Sequence, residues 1–278
     1  MAKDSKGYTL LFASAVCVVC SVFVAGSAVS LRERQEENRI LDRQTKVLTV
    51  AGLISADAES TREQVAELFG SRVRPIVVNL STGETVHCEE GEAASEDCVD
   101  TTSFDAEDEI SGPDTSREMP DHAENGIRAQ IPRIPDRAML YHVLADDGET
   151  VDSLILPVHG KGLWSTLYGF LALDAQDANT VKGLIFYQHA ETPGLGGEVD
   201  NPTWQGHWSN PERPIRILDE EGNVAVEVAK NARGNHQVDA LSGATITSNG
   251  VTYLLRFWVA EDGYGPYLNQ FREERGAS

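Results

Sequence analysis

The longest unbroken apolar run lies near the start of the chain. No charged residue occurs from Gly7 to Leu31, and Tyr8 to Leu31 reads YTLLFASAVCVVCSVFVAGSAVSL, 24 residues. A helix of that length rises roughly 36 Å, enough for a bilayer core of about 30 Å. The pattern predicts a transmembrane helix over 8–31 behind a short tail, 1–7. A cleaved signal peptide is the competing reading, with Lys3 and Lys6 as its basic end and Gly26-Ser27-Ala28 as its cleavage site. Signal cores are typically only about 7–15 residues, which favours the anchor. No second run of this length follows. Lys and Arg on the two sides of the span do not decide its orientation. A very short tail before a long domain suits an exported domain.

Beyond the span the period shortens and breaks. Leu31 to Leu53, rich in Arg, Glu, Gln and Leu and free of Pro, reads as a helix continuing outward and breaking at Gly52. Ser60 to Phe69 reads as a second helix ended by Gly70. VRPIVVNLSTGETV reads as a strand pair turning at Thr82-Gly83. Residues 32–83 are therefore a helical linker and the first part of a soluble domain. Residues 84–125 hold few large apolar side chains and read as a solvated, partly disordered acidic insertion. The compact domain resumes at 126 and runs to 278. Ala138 to Leu144 and Val151 to Pro157 are strands around Asp146-Asp147-Gly148, with further apolar runs at Leu163 to Leu173 and Val181 to His189. Ile215 to Leu218 and Val224 to Val228 read as a hairpin around Glu221-Gly222-Asn223. Residues 245–260 read as a helix, with Val251, Leu254, Leu255, Trp258 and Val259 at helical spacing. Strands with a few helices predict an α+β fold.

Charge changes this picture little. The chain carries 23 Lys and Arg against 44 Asp and Glu, a formal net charge of −21. Such a chain repels phosphate backbones, which argues against a nucleic-acid partner. The charge is local: Glu84 to Glu124 contains fifteen acids and one base, Arg117, so 1 − 15 = −14 of it sits there. Four cysteines are too few for a disulfide scaffold. Cys17 and Cys20 lie in the apolar run as small packing residues. Cys88 and Cys98 bracket a short acidic loop and are either a disulfide of an oxidising compartment or two free thiols. The histidines show no metal-ligand spacing, and no metal is expected.

P-loop, Gly-x-Gly-x-x-Gly, Gly-x-Ser-x-Gly and His-Glu-x-x-His patterns are all absent, which argues against an NTPase, a dinucleotide-binding dehydrogenase, a serine hydrolase and a zinc protease. Three glycine-centred segments stand out instead. His159-Gly160-Lys161-Gly162-Leu163-Trp164 offers a cation and a flat apolar surface. Glu191-Thr192-Pro193-Gly194-Leu195-Gly196-Gly197-Glu198 lets backbone approach a ligand closely. Asp239-Ala240-Leu241-Ser242-Gly243-Ala244-Thr245-Ile246-Thr247 opens a helix, whose unpaired N–H groups attract phosphate, with Thr245 and Thr247 as hydroxyl donors. The plain alternatives are an N-cap at Ser242, a loop between strands, a surface lysine and a core tryptophan. Together the segments suggest a pocket for a flat, phosphorylated ligand such as flavin mononucleotide (FMN).

Asp-x-x-Ser-Gly-Ala-Thr resembles the flavinylation motif of FMN-binding domains in bacterial respiratory complexes, and Glu-Thr-Pro-Gly-Leu-Gly resembles their second hallmark. LDRQTKVLTVAGL (41–53), the Gly-Lys-Gly-Leu-Trp block and FWVAEDGYGPYL near the C-terminus are similar to the NqrC family, the C subunits of Na⁺-translocating NADH:quinone reductases. The G subunit family of Rnf complexes is the nearest competitor, typically shorter and less well matched in the last two blocks. The resemblance implies FMN joined to Thr245 by a phosphoester. It also implies a separate Mg²⁺-dependent flavin transferase that installs the group, the Thr245 hydroxyl attacking the pyrophosphate of FAD with AMP as the leaving group. Asp239, Ser242, Gly243, Ala244 and Thr247 are expected in that site, with Lys161, Leu163, Trp164, Glu191, Thr192, Gly194, Leu195 and Gly196 around the flavin. Implied partners are a second FMN-carrying membrane subunit and an iron–sulfur subunit, with the chain in the bacterial inner membrane and its domain periplasmic. A membrane-anchored redox-sensing module and a free periplasmic flavoprotein are the alternatives from other classes.

Overall fold

The computed structural model describes residues 6–55, 60–86, 88, 98–101 and 104–276. The chain divides into two compact units, Met1–Gln44 and Thr45–Ser278. The first is most of helix α1 (Lys6–Val50), which runs 45 residues without interruption. Its Lys6–Arg32 part is long and apolar enough to cross a membrane, and Leu10, Phe12, Val22 and Phe23 are exposed along it.

The second unit is an α+β domain. Its elements are α2 (Arg62–Arg72), β1 (Val73–Asn79), α3 (Ala106–Ser111), β2 (Ser116–Glu118), α4 (Glu124–Arg128), β3 (Arg133–Pro135), β4 (Arg137–Leu144), β5 (Val151–Lys161), β6 (Thr166–Asp174), β7 (Val181–Gln188), α5 (Pro202–Gln205), β8 (Glu227–Ala229), β9 (Gln237–Asp239), α6 (Thr245–Trp258) and α7 (Gly265–Gly276). Five strands form one antiparallel sheet in the order β1-β4-β5-β6-β7. Alternation sends Leu154, Leu156 and Val158 of β5, with Leu167 and Leu171 of β6, to one face, where they share a core with Val251, Leu254, Leu255 and Trp258 of α6. The helical spacing read from the sequence is therefore the buried stripe. The other face meets α2, where the ring of Phe69 packs edge-on to Tyr141. It also meets the last turn of α1, where Val50 fills the space beside Gly183.

Pro157 divides β5. It has no N–H to donate, and the β4–β5 ladder runs only between Tyr141–Leu144 and Val151–Ile155. Past that point the C-terminal segment supplies the missing partners. The Tyr264 hydroxyl donates to the carbonyl of Pro157 at 3.0 Å, and the Trp258 indole N–H donates to that of His159 at 2.7 Å. The amide of Lys161 is satisfied from outside the sheet as well, by the carbonyl of Ala129 at 2.7 Å. The Phe-Trp-Val-Ala-Glu-Asp-Gly-Tyr block thus completes the half of β5 that ends at Lys161.

Several expectations are corrected. The 84–125 stretch is not uniformly a solvated insertion. Its part on residues 87, 89–97 and 102–103 lies outside the described residues, but from 104 onward it is built into the domain. β2 pairs with β3, Met119 and Ala123 join the core, and buried Glu109 is paired with Arg137 at 2.7 Å. A few apolar residues spaced among the acids suffice to dock it. Of the two alternatives open for Cys88 and Cys98, the disulfide is the one formed. α2 does not stop at Gly70: it starts from a capping box of Thr61 and Gln64 and continues to Arg72. The strand pair at Thr82-Gly83 is reduced to a single bridge, Val78 to Thr85. The 215–228 hairpin keeps only the Leu218–Val224 bridge, because Glu227–Ala229 pairs instead, in parallel, with Gln237–Asp239. β6 begins at Thr166 rather than Leu163, since residues 162–165 form a turn held from outside the strand. The sequence reading has no counterpart for α7.

Tyr264 is 2% exposed, and burial pushes its phenol well above the ordinary range, so it stays a neutral donor. Tyr264→Phe strands the Pro157 carbonyl and is expected to cost about 1–3 kcal/mol, read as a lower denaturation midpoint of the detergent-solubilised chain.

Candidate functional site

The three glycine-centred segments come together at the ends of β5 and β7 and the start of α6. What joins them is one carboxylate. Glu191 is 5% exposed. Its Oε1 accepts from the amides of Trp164 at 2.9 Å and Ser165 at 3.0 Å and from the Ser165 hydroxyl at 3.2 Å. Its Oε2 accepts from the amide of Leu163 at 3.1 Å and the hydroxyl of Thr247 at 2.7 Å. The carboxylate needs room on two sides. A Cβ at Gly162 would sit 2.6 Å from Oε1, and one at Gly196 would sit 2.7 Å from Oε2 and 2.6 Å from the Thr247 hydroxyl. Both glycines are therefore required for space around the carboxylate.

The sequence places Glu191 beside the ligand and Thr247 as a ligand hydroxyl. The structure turns both inward: Thr247 is 1% exposed and spends its proton on Glu191. Ser242 is one candidate for the N-cap of α6. The cap position is instead Ala244, which brings no side-chain hydrogen bond. Ser242 and Gly243 form the exposed turn before it, with Gly243 at φ +71°. Asp239 is exposed at the end of β9, and its Oδ1 accepts from the amide of Ala232 at 3.0 Å. Ala244 is buried, which leaves Thr245 exposed at the first position of a helix start with no side-chain cap. Gly194 and Thr192 are exposed on the neighbouring loop. Lys161 is half-buried, and its Nζ donates to the carbonyl of Trp164 at 3.5 Å.

The three segments also expose large apolar side chains. Leu163 is 43% exposed, Trp164 68%, Leu195 44% and Ile246 58%. In the second unit the only other large apolar side chain so exposed among the described residues is Ile127. Sequence reasoning missed Ile246, Ser165 and His189. Ile246 sits between two threonines that draw attention first. Ser165 acts through a bond to a residue 26 positions away. His189 accepts from the Glu191 amide through Nδ1 at 3.2 Å and pairs through Nε2 with Asp200 at 2.7 Å, clasping both ends of the 189–200 loop. Only its place before Glu-Thr-Pro-Gly marks it in the sequence.

A family model described as FMN-binding domain matches residues 162–260. A Pseudomonas aeruginosa protein, named as the C subunit of Na(+)-translocating NADH-quinone reductase, is 43% identical over 277 residues, covering 98% of each chain. Its namesake from Yersinia pestis is 39% identical over 275 residues, covering 98% of this chain and 95% of the relative. This chain belongs to that family of C subunits. The crystal structure of Shewanella oneidensis NqrC superposes with a TM-score of 0.70 at 28% identity, covering 86% of this chain and 99% of that one. The likeness to that structure thus covers most of this chain. The segment matched by the FMN-binding domain model includes Glu191 with its donors, the exposed Leu163, Trp164, Leu195 and Ile246, and the start of α6. The residues fit the group: uncapped amides for a phosphate, an exposed hydroxyl beside them and a greasy surface for a flat ring.

Burial pushes the Glu191 carboxyl up, but the Thr247 hydroxyl and the amides of Trp164, Ser165 and Leu163 outweigh it and hold it below the usual carboxylate range. The folded value lies below the unfolded one. Its stabilisation is therefore full above the unfolded value of about 4.3 and is lost as pH falls through the folded value. Glu191→Gln turns an amide donor toward buried donors and is expected to cost about 2–4 kcal/mol at neutral pH. The gap in denaturation midpoint between wild type and variant should narrow as pH drops from about 5 toward 3.

Proposed function

We propose that this chain is the electron-relay subunit of a Na⁺-pumping NADH:quinone reductase, carrying FMN through a phosphoester to the Thr245 hydroxyl. One observation carries the assignment of the attachment point. Of the two threonines at the start of α6, Thr247 is buried and committed to Glu191, whereas Thr245 is exposed beside amides that have no side-chain cap.

FMN supplies a centre that takes up electrons and passes them on singly. The chain's own residues do the holding. The first amides of α6 and the ammonium of Lys161 offset phosphate charge. Leu163, Trp164, Leu195 and Ile246 give the ring an apolar seat, and Thr192 and the Gly194–Gly196 backbone border it. Glu191 keeps those walls in register from below. The covalent bond prevents loss of the cofactor into an extracytoplasmic space.

The partners in this reading are the subunits before and after it in the relay: an iron–sulfur subunit as donor and a second FMN-carrying membrane subunit as acceptor. A flavin transferase acts during maturation. The apolar α1 segment anchors the chain in the inner membrane. The Cys88–Cys98 disulfide supports a domain on the periplasmic side, since such bonds persist in oxidising compartments. A single span without charged residues offers no ion path, so Na⁺ moves through other subunits.

Coexpression with a flavin transferase followed by a denaturing gel tests the attachment. The wild-type band is expected to fluoresce and a folded Thr245→Ala variant to be dark. A dark wild type or an undiminished variant ends the reading. For orientation, protease added to intact spheroplasts is expected to digest the 45–278 domain; full protection would place it in the cytoplasm.

A further inference from the structure

Glu191 accepts from donors on both carboxyl oxygens, which takes the ionised, acceptor-only form. All five of its donors are neutral, three backbone amides and two hydroxyls. Among the described residues no ion pair reaches it. Lys161, which leads into the same turn, directs its ammonium to the Trp164 carbonyl. An ionised group that is only 5% exposed, with no cation paired to it among the described residues, projects its field through a medium that screens it less than water does. The field falls on the seat described above. The carboxylate oxygens bond the amides of Leu163 and Trp164, whose side chains are the exposed apolar wall, and the hydroxyl two residues beyond Thr245.

We propose that Glu191 sets the reduction potential of the bound flavin, its buried negative charge holding that potential below the value the same seat would give with a neutral residue. This rests on the FMN reading above. Two-electron reduction at neutral pH takes two electrons from the donor and one proton from solvent, so the ring gains one negative charge. A fixed anion beneath the seat opposes that gain and favours passing the electrons on. The neutral donors divide the work differently: each one draws charge density from the carboxylate and softens its field.

The test uses the full chain, coexpressed with a flavin transferase, purified in detergent and checked for covalent flavin on a denaturing gel. Midpoint potentials are then read by spectroelectrochemical titration at neutral pH. Glu191→Gln, which removes the charge, is expected to shift the potential positive. Thr247→Val keeps the charge and strips its shortest hydrogen bond, and is expected to shift it negative. A purely structural role loosens the seat in both variants and moves them the same way. Shifts of the same sign, or none, overturn the proposal. Should Glu191→Gln fail to fold, Thr247→Val decides alone, and no negative shift overturns it. A wild type without covalent flavin sinks the FMN reading, and this inference with it; flavin present with unshifted potentials sinks only this inference.

Discussion

Everything at the functional end of the domain hangs on one buried carboxylate. From the loop after β7, Glu191 reaches the turn after β5 and the first turn of α6 at once, accepting from three amides that the local backbone leaves unpaired and from the Thr247 hydroxyl. Such an arrangement is stiff because it is over-determined: moving any one segment leaves a buried donor without an acceptor. It is also demanding of its neighbours. Gly162 and Gly196 have no side chains because the carboxylate occupies their space. Segments that read as flexible, glycine-rich loops are tightly held walls.

The same logic of borrowed partners appears in the sheet. Pro157 interrupts the ladder of β5, and the C-terminal segment repairs it through Trp258 and Tyr264. The repaired strand leads straight into Lys161 and the Gly162 turn. The C-terminus of the domain, far from the site in sequence, thus fixes the direction in which that turn is presented. α6 links the two ends, with its start in the site and Trp258 at its close beside the repaired strand.

How much of this is legible in the sequence depends on the range of the interaction. Local signals are readable: the apolar span, the Asp147-Gly148 turn, the strands of the sheet and the stripe of α6 follow from period and turn chemistry. The three glycine segments are readable as a group, because their composition departs from that of ordinary loops. The inward turn of Glu191 and Thr247 is not. A carboxylate beside a candidate ligand loop reads as a ligand contact until the donors that claim it, 26 to 56 residues away, are in view. The docked half of the acidic stretch is hidden for a related reason. Counting charges says nothing about Glu109 meeting Arg137, or about Met119 and Ala123 facing inward. The parallel β8–β9 pair is likewise a non-local event that no turn signal announces.

The two threonines of α6 carry one more implication. In an extended chain Thr245 and Thr247 are chemically alike, two secondary alcohols two residues apart. In the folded chain one alcohol has its proton engaged and is shut away from solvent, while the other stands open. For any enzyme that meets the folded domain, regiochemistry is settled before it arrives. The selectivity of such a modification is then a property of the substrate's tertiary structure, and a chain that has not yet folded lacks it.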